Sequence, residues 1–261
     1  MSWLRVARVQ LRLAVLGELQ YRFNLLVQLG QSLIALGTGL VALALVFQQV
    51  DRLNGWSAPE LLTVMGTHLL VGGLLQTWIQ PNMARLIQDV REGGLDLLLT
   101  RPMDAQLLVS LREFRLWQLV DVLLGLLVLA LALRRLGGEL GLAQALAFAL
   151  LVAMGTAMLY AIWLMLSASA FWVIRGGDLL EVFSSFHQAG RWPVDLYPRW
   201  LRGTLTFVLP MAFAVTVPAE TLARHLEPRV LVLAAWLTVL LLALSRAVWR
   251  AGLRRYAGAS A

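Results

Sequence analysis

Residues 81–104, PNMARLIQDVREGGLDLLLTRPMD, form the longest strongly polar interruption in an otherwise apolar chain. Pro81 fits the first position of a helix, where its missing N–H costs nothing. Gly93-Gly94 can end that helix, because glycine tolerates a left-handed turn. With a second apolar piece at residues 95–99, the segment predicts an amphipathic helix, a glycine break and a short second helix. The apolar face of the first helix comprises Met83, Leu86, Ile87 and Val90, which recur at helical spacing.

The residues alone leave two functions open for this stretch, which we call the polar segment. As a docking surface for a cytoplasmic partner, it would use its apolar residues as the anchors of helix-in-groove recognition. As an interfacial helix, it would lie on lipid headgroups instead. The residues that we assign to docking are Arg85, Leu86, Asp89, Val90, Arg91, Leu95 and Asp96.

The composition is that of a polytopic membrane protein. Of the 261 residues, 59% are hydrophobic and 14% are charged, whereas soluble domains carry about 25% charged residues. The net charge is +7, and all 22 basic residues are arginines. In a membrane protein such an excess marks cytoplasmic loops and their contact with anionic lipid, so we expect no nucleic-acid partner.

Long apolar runs give the layout of a single membrane domain covering residues 1–261, since a spanning helix needs roughly 20 apolar residues. Residues 2–22 precede the first run and predict a helix lying in the inner interface. Both termini are predicted to be cytoplasmic, which requires an even number of crossings. The clear spans cover residues 25–47, 60–79, 116–133, 143–173 and 229–249.

The remaining crossing is ambiguous. Either residues 178–192 cross and residues 201–217 form a re-entrant hairpin on the outer side, or residues 201–217 cross. The positive-inside rule favours the second topology, which places Arg191, Arg199 and Arg202 in the cytoplasm. Pro210 favours a hairpin, because it removes a backbone donor in the middle of the segment.

The fourth span carries alanine at every fourth position. Small residues at this spacing let two membrane helices approach closely, so we expect a packing face there. Its central members are Ala149, Ala153 and Ala157.

The motifs of an enzyme or a metal site are missing from the sequence. A phosphate-binding loop of the G-x-x-x-x-G-K-[ST] type needs a lysine, and this chain has none. His68, His187 and His225 have no metal-ligand spacing and are interpreted as packing residues. Asp121 lies near a predicted span end, where it would reach headgroups and water. We therefore expect no catalytic residue, no metal and no cofactor in this chain.

Two stretches, residues 93–104 and 190–222, resemble a known family. The second is similar to the pattern of ABC-2-type transporter permeases near the end of the membrane domain: glycine, an aromatic residue, proline, then Pro-x-Trp-Leu and a later proline. The corresponding positions here are Gly190, Trp192, Pro193, Pro198, Trp200, Leu201 and Pro210. The first stretch, with its Leu-Asp and Arg-Pro pairs, resembles a subfamily of ABC-2 permeases of similar length.

The resemblance implies an all-α integral membrane protein with six transmembrane helices. It would be the permease subunit of an exporter in the inner or plasma membrane, paired with a second permease as a homo- or heterodimer. Separate ABC ATPase subunits would bind ATP and Mg²⁺ and dock on the cytoplasmic coupling helix within residues 81–104. The resemblance also implies that residues 201–217 are re-entrant, with Pro193, Pro198, Trp200 and Pro210 as the motif, so it favours 178–192 as the crossing.

Two alternatives belong to other functional classes. An integral membrane enzyme acting on lipid would need convergent acids or histidines at bilayer depth, and the sequence shows none at mutual helical spacing. A small-molecule binding subunit of an uptake system would need a pocket enclosed within one chain. The sequence does not reveal the cargo.

Overall fold

The computed structural model describes residues 22–137, 141–172, 185, 187–224 and 227–256. This part of the chain is helical and contains no β-strand, which confirms the predicted all-α class. The predicted interfacial helix at 2–22 and most of the predicted span at 178–192 lie outside the described residues. The main helices are α1 (Arg22–Phe47), α2 (Ala58–Leu74), α3 (Gln80–Glu92), α4 (Asp96–Leu99), α5 (Ala105–Ser110), α6 (Leu119–Leu136), α7 (Leu142–Ala168), α8 (Arg199–Gly203), α9 (Val217–Ala223) and α10 (Pro228–Arg255).

Five helices in the described residues are long and apolar enough to cross a membrane. They cover Leu25–Phe47, Ala58–Glu92, Leu116–Leu136, Leu142–Phe171 and Pro228–Arg255. A sixth candidate is a pair of shorter helices, Arg199–Val208 and Ala212–Ala223, bent by 76° at the intervening residues. We call this pair the bent hairpin.

α2 and α3 form one continuous rod, because a π-helical turn at Leu75–Ile79 joins them. Pro81 lies at the start of α3, as predicted, but no break in the helix precedes it. Proline has no N–H to offer the carbonyl four residues earlier, which here belongs to Thr77. The backbone N–H of Arg115 donates to that carbonyl instead, at 2.8 Å. The backbone segment that leads into α6 thus supplies the donor that Pro81 lacks for the Thr77 carbonyl.

Glycines bring α2 and α6 into direct backbone contact. A Cβ built on Gly125 of α6 would lie 2.6 Å from the backbone nitrogen of Leu70 and 2.8 Å from the carbonyl oxygen of Gly66. Gly73 faces the backbone of Val122 in the same way, with its Cβ position 2.7 Å from that nitrogen. Small residues allow such close approach between membrane helices.

The bent hairpin packs on α7 through another glycine. A Cβ on Gly155 would overlap the Cα of Ala214, in the second arm of the hairpin. The alanine stripe lies elsewhere on α7: Ala149 and Ala153 are exposed and Ala157 is half-buried. The contact of α7 with the bent hairpin therefore uses Gly155, and the packing role of the stripe stays a prediction.

Candidate functional site

The apolar face of the polar segment packs against the chain itself. Leu86 is only 1% exposed, Met83 and Ile87 are buried, and Val90 is half-buried against the same core. An amphipathic helix buries its apolar stripe wherever a matching surface is available, and here the bundle supplies that surface. The interpretation of Leu86 as an anchor for a partner's groove therefore needs correction, since this side chain is not accessible.

Asp89 is also buried rather than part of a charged rim. It is 4% exposed and accepts a hydrogen bond from Nε of Arg85 at 3.2 Å and another from Arg112. The carboxylate thus joins α3 to the backbone that precedes α6. A buried carboxylate needs such partners because an uncompensated charge is strongly destabilising.

Asn82 completes this attachment, although no sequence pattern indicated it. Its Nδ2 donates to the carbonyls of Trp78 at 2.6 Å and Glu113 at 2.8 Å. Its Oδ1 accepts from the backbone N–H groups of Arg112 at 2.8 Å and Glu113 at 3.0 Å. All four hydrogen-bonding positions of the buried amide are used, so residues 112–115 are held firmly on the rod.

A second attachment ties the far end of the polar segment to the last helix. Asp104 caps α5 by accepting from the N–H of Leu107 at 3.3 Å. The guanidinium of Arg246, on α10, donates to both carboxylate oxygens of Asp104 and to Oε1 of Gln106, the latter at 2.7 Å. The hydrogen bonds from Arg246 hold the pKa of Asp104 below its usual value. Tyr160 of α7 joins the network through Gln106 at 3.3 Å.

What remains accessible is a different set of residues from the predicted anchors. Leu95, which precedes the short helix α4, and Leu98 within it are both buried, and Leu97 points outward with 75% of its surface exposed. The i, i+3 spacing of Leu95 and Leu98 was the signal that could have identified Leu97 as exposed.

Of the other predicted docking residues, Arg91 is exposed, whereas Arg85 and Asp96 are partly buried. We define the docking face as the exposed residues Gln88, Arg91, Glu92, Leu97, Leu99 and Arg101.

At the opposite end of the bundle, both ends of the bent hairpin contact one loop. Nδ2 of Asn54, in the loop between α1 and α2, donates to the carbonyl of Asp195 at 3.1 Å. Arg224 donates to the carbonyl of Gly55 at 3.0 Å and pairs with Glu60 at 3.2 Å. The four motif residues lie within or just before the hairpin: Pro193 and Pro198 precede short helices, Trp200 is exposed, and Pro210 is buried at the bend.

No cluster of three or more metal-ligating side chains occurs in the part of the chain that the structure describes. His225 lies outside it. His68 and His187 stack on each other, with ring centroids 4.7 Å apart. Asp121 lies in the first turn of α6 and is buried.

The comparisons with known proteins identify one family. The family model described as ABC-2 family transporter protein matches residues 33–260, which is most of the chain. No curated protein and no solved structure matches it.

Proposed function

Because the chain belongs to the ABC-2 family of transporter proteins, we propose that it is the permease subunit of an exporter driven by separate ATPase subunits. Membership favours this function over the two alternatives, a lipid-modifying enzyme and a binding subunit for uptake. ATP and Mg²⁺ would be bound by the ATPase, and a second permease would complete the pathway. The single observation that carries the proposal is the rod formed by α2 and α3, which continues into the docking face.

The length of this rod supports a role in coupling. Its 35 residues extend about 52 Å at roughly 1.5 Å per residue, whereas the hydrocarbon core is about 30 Å thick. The excess of about 20 Å matches the length of α3, whose 13 residues rise roughly 1.5 Å each. We therefore place α3 beyond the core on the cytoplasmic side, where an ATPase can reach it. A helix without a break transmits a push on α3 to α2.

The two attachments described above support the same role. Asp89 and Asn82 hold the start of α6 on the rod, and Arg246 holds Asp104 on α10. A displacement of the docking face would thus reach three membrane helices at once. Electrostatic contacts of Arg91, Glu92 and Arg101 at its rim would orient the ATPase, since rim charges mainly affect association rates.

The proposed topology places the bent hairpin on the outer side without crossing. Its support is that Asp195 and Arg224, at the two ends of the hairpin, hydrogen-bond to the same loop. A segment that crosses would have its ends at opposite faces of the bundle. Both termini would then be cytoplasmic, with residues 178–192 as the fifth crossing.

The second permease is proposed to pack on exposed apolar helix surface. Ala149 and Ala153 supply one such surface, because exposed small residues allow a second helix to approach closely. A homodimer and a heterodimer both satisfy this requirement.

The test is co-purification with a co-expressed ABC ATPase from the same organism. Leu97→Asp places a charge in the docking face and should reduce ATPase recovery at least about tenfold, equivalent to roughly 1.4 kcal/mol of lost binding. Leu142→Asp is the matched control, because Leu142 is 76% exposed, close to the 75% of Leu97, but lies at the opposite end of the bundle. It should leave recovery unchanged. Equal recovery with both variants would contradict the docking face.

A further inference from the structure

A cavity of about 170 Å³, lined by both polar and apolar atoms, lies between α1, α2, α6 and the segment near residues 187–191. Three of its walls belong to helices long and apolar enough to span a bilayer. Gln31 and Gln188 line it and are exposed, so the cavity is open to the surroundings of the chain. Its most informative lining residues are Gln28, Ser32, His68, Asp121, His187 and Arg191.

Two histidines in its wall have unsatisfied ring nitrogens. His68 is 7% exposed and His187 is 5% exposed, and their rings stack with an interplanar angle of 22°. Among the described residues, Nδ1 of His68 and both nitrogens of His187 have no hydrogen-bond partner. Buried polar atoms nearly always have a hydrogen-bond partner, so we expect these nitrogens to bind a molecule that enters the cavity.

Glycines keep the space beside these rings free. A Cβ on Gly72 would lie 3.1 Å from Nε2 of His187, and one on Gly190 would lie 3.6 Å from Nδ1 of His68. Any side chain at either position would therefore occupy the space in which a partner of these nitrogens could lie.

Asp121 supplies a carboxylate to the same cavity. Ser32 Oγ donates to one of its oxygens, and Nε2 of Gln28 donates to the other at 3.2 Å. A carboxylate can accept roughly four hydrogen bonds, so half of this capacity remains. Asp121 forms no ion pair with a described residue. Ionisable side chains within membrane-spanning helices are rare and usually functional.

The wall carries charges of both signs. An anion would meet the carboxylate of Asp121, and a cation would meet the guanidinium of Arg191, which lines the cavity as well. A hydroxyl group avoids both conflicts, because it donates to a carboxylate or imidazole nitrogen and accepts from a guanidinium or amide. A volume of about 170 Å³ corresponds to roughly six waters at about 30 Å³ each, which is comparable to one sugar ring.

We propose that this cavity binds an uncharged, hydroxyl-rich group of the size of one sugar ring, carried on an amphipathic molecule. The polar ring would hydrogen-bond to Asp121, His187 and Arg191, and an apolar tail would leave through the open side into the bilayer. The proposal concerns binding, and it holds whether or not the bound molecule is the cargo of the transporter.

The experiment uses the full chain in phosphatidylcholine nanodiscs and an octyl glucoside with a photoactivatable diazirine on its sugar. Mass spectrometry should find the label on peptides that line the cavity, and excess octyl glucoside should remove it. Octyl phosphate and octylammonium, with the same tail but charged headgroups, should compete at least about tenfold less well, the equivalent of roughly 1.4 kcal/mol. Labelling elsewhere, or equal competition by a charged headgroup, would overturn the proposal.

Variants separate specific binding from partition into lipid. His187→Phe keeps an aromatic ring against His68 and removes both nitrogens, and it should lower cavity labelling about fivefold to tenfold, as expected for one or two lost hydrogen bonds. Should that variant not fold, Gln188→Leu changes an exposed lining residue and should lower labelling in the same direction. The control is Thr206→Val in a second cavity of about 410 Å³ within the bent hairpin, which should label as the wild type does. Unchanged labelling in both cavity variants would refute the site.

Discussion

Arg246 of α10 donates hydrogen bonds to both carboxylate oxygens of Asp104, a residue 142 positions earlier in the chain. This pair joins the last membrane helix to the segment that connects the rod with α6. Because Gln106 binds the same guanidinium and also Tyr160 of α7, the contact involves three separate helices. Movement of the polar segment would thus be passed to α10 through this pair.

Asp104→Asn should weaken this attachment and make its strength independent of pH. The folded-state pKa of Asp104 is lowered by Arg246, so its contribution to stability is complete above the unfolded-state pKa of about 3.9 and disappears as the pH falls through the folded-state pKa. Both side chains are about one-third exposed, which limits the effect to about 1 kcal/mol. Thermal unfolding in detergent should separate variant and wild type at pH 7, and the separation should shrink at pH 3. A constant difference at both pH values would contradict this role.

Asp89→Ala should be considerably more damaging. The carboxylate is buried and pairs with Arg112 and Arg85, so its removal leaves Arg112, the more buried of the two arginines, without its partner. We expect a loss of about 3 kcal/mol, typical of breaking a buried pair, measured as reduced resistance to thermal or SDS-induced unfolding. Glu92→Ala is the control, since Glu92 is exposed on the same helix, and it should change stability by less than about 0.5 kcal/mol. Equal stability of the two variants would show that Asp89 is not a structural anchor.

The polar segment shows what the sequence could and could not predict. The spacing of Met83, Leu86 and Ile87 correctly indicated a helix with one apolar face, because periodicity is a local property. It did not say what covers that face, and the bundle does so here. Pro81 was expected to begin a helix, whereas its effect on Thr77 is compensated by Arg115, a residue whose position depends on the fold. The pairing of Asp104 with Arg246 is similarly a long-range contact that no local pattern indicates.

Gly155→Ala should disturb the packing of the bent hairpin on α7. The added Cβ would overlap the Cα of Ala214, and because that atom belongs to the backbone, the two helices must separate. Overpacking of this kind costs about 1–3 kcal/mol. Gly30→Ala is the matched control, since nothing lies within 4 Å of its Cβ position and it also lies in a long helix, α1. The control should retain or slightly raise the midpoint temperature of unfolding, whereas Gly155→Ala should lower it. A lowered midpoint in both variants would point to a general effect of replacing glycine.

The side of the membrane on which the hairpin opens can be tested with single cysteines, because the native chain has none. The positive-inside rule places residues 191–202 in the cytoplasm. In contrast, the hydrogen bonds of Asp195 and Arg224 to the loop between α1 and α2 place the hairpin at the opposite end from the docking face.

Arg199→Cys is preferable to a cysteine at Asp195, because Arg199 is exposed and Asp195 pairs with Arg202 at 2.6 Å. We expect Arg199→Cys to react with an impermeant maleimide in intact cells, and Arg101→Cys, in the docking face, to react only after the cells are opened. The reverse pattern would invert the whole orientation, and protection of both cysteines in intact cells would show that the hairpin crosses.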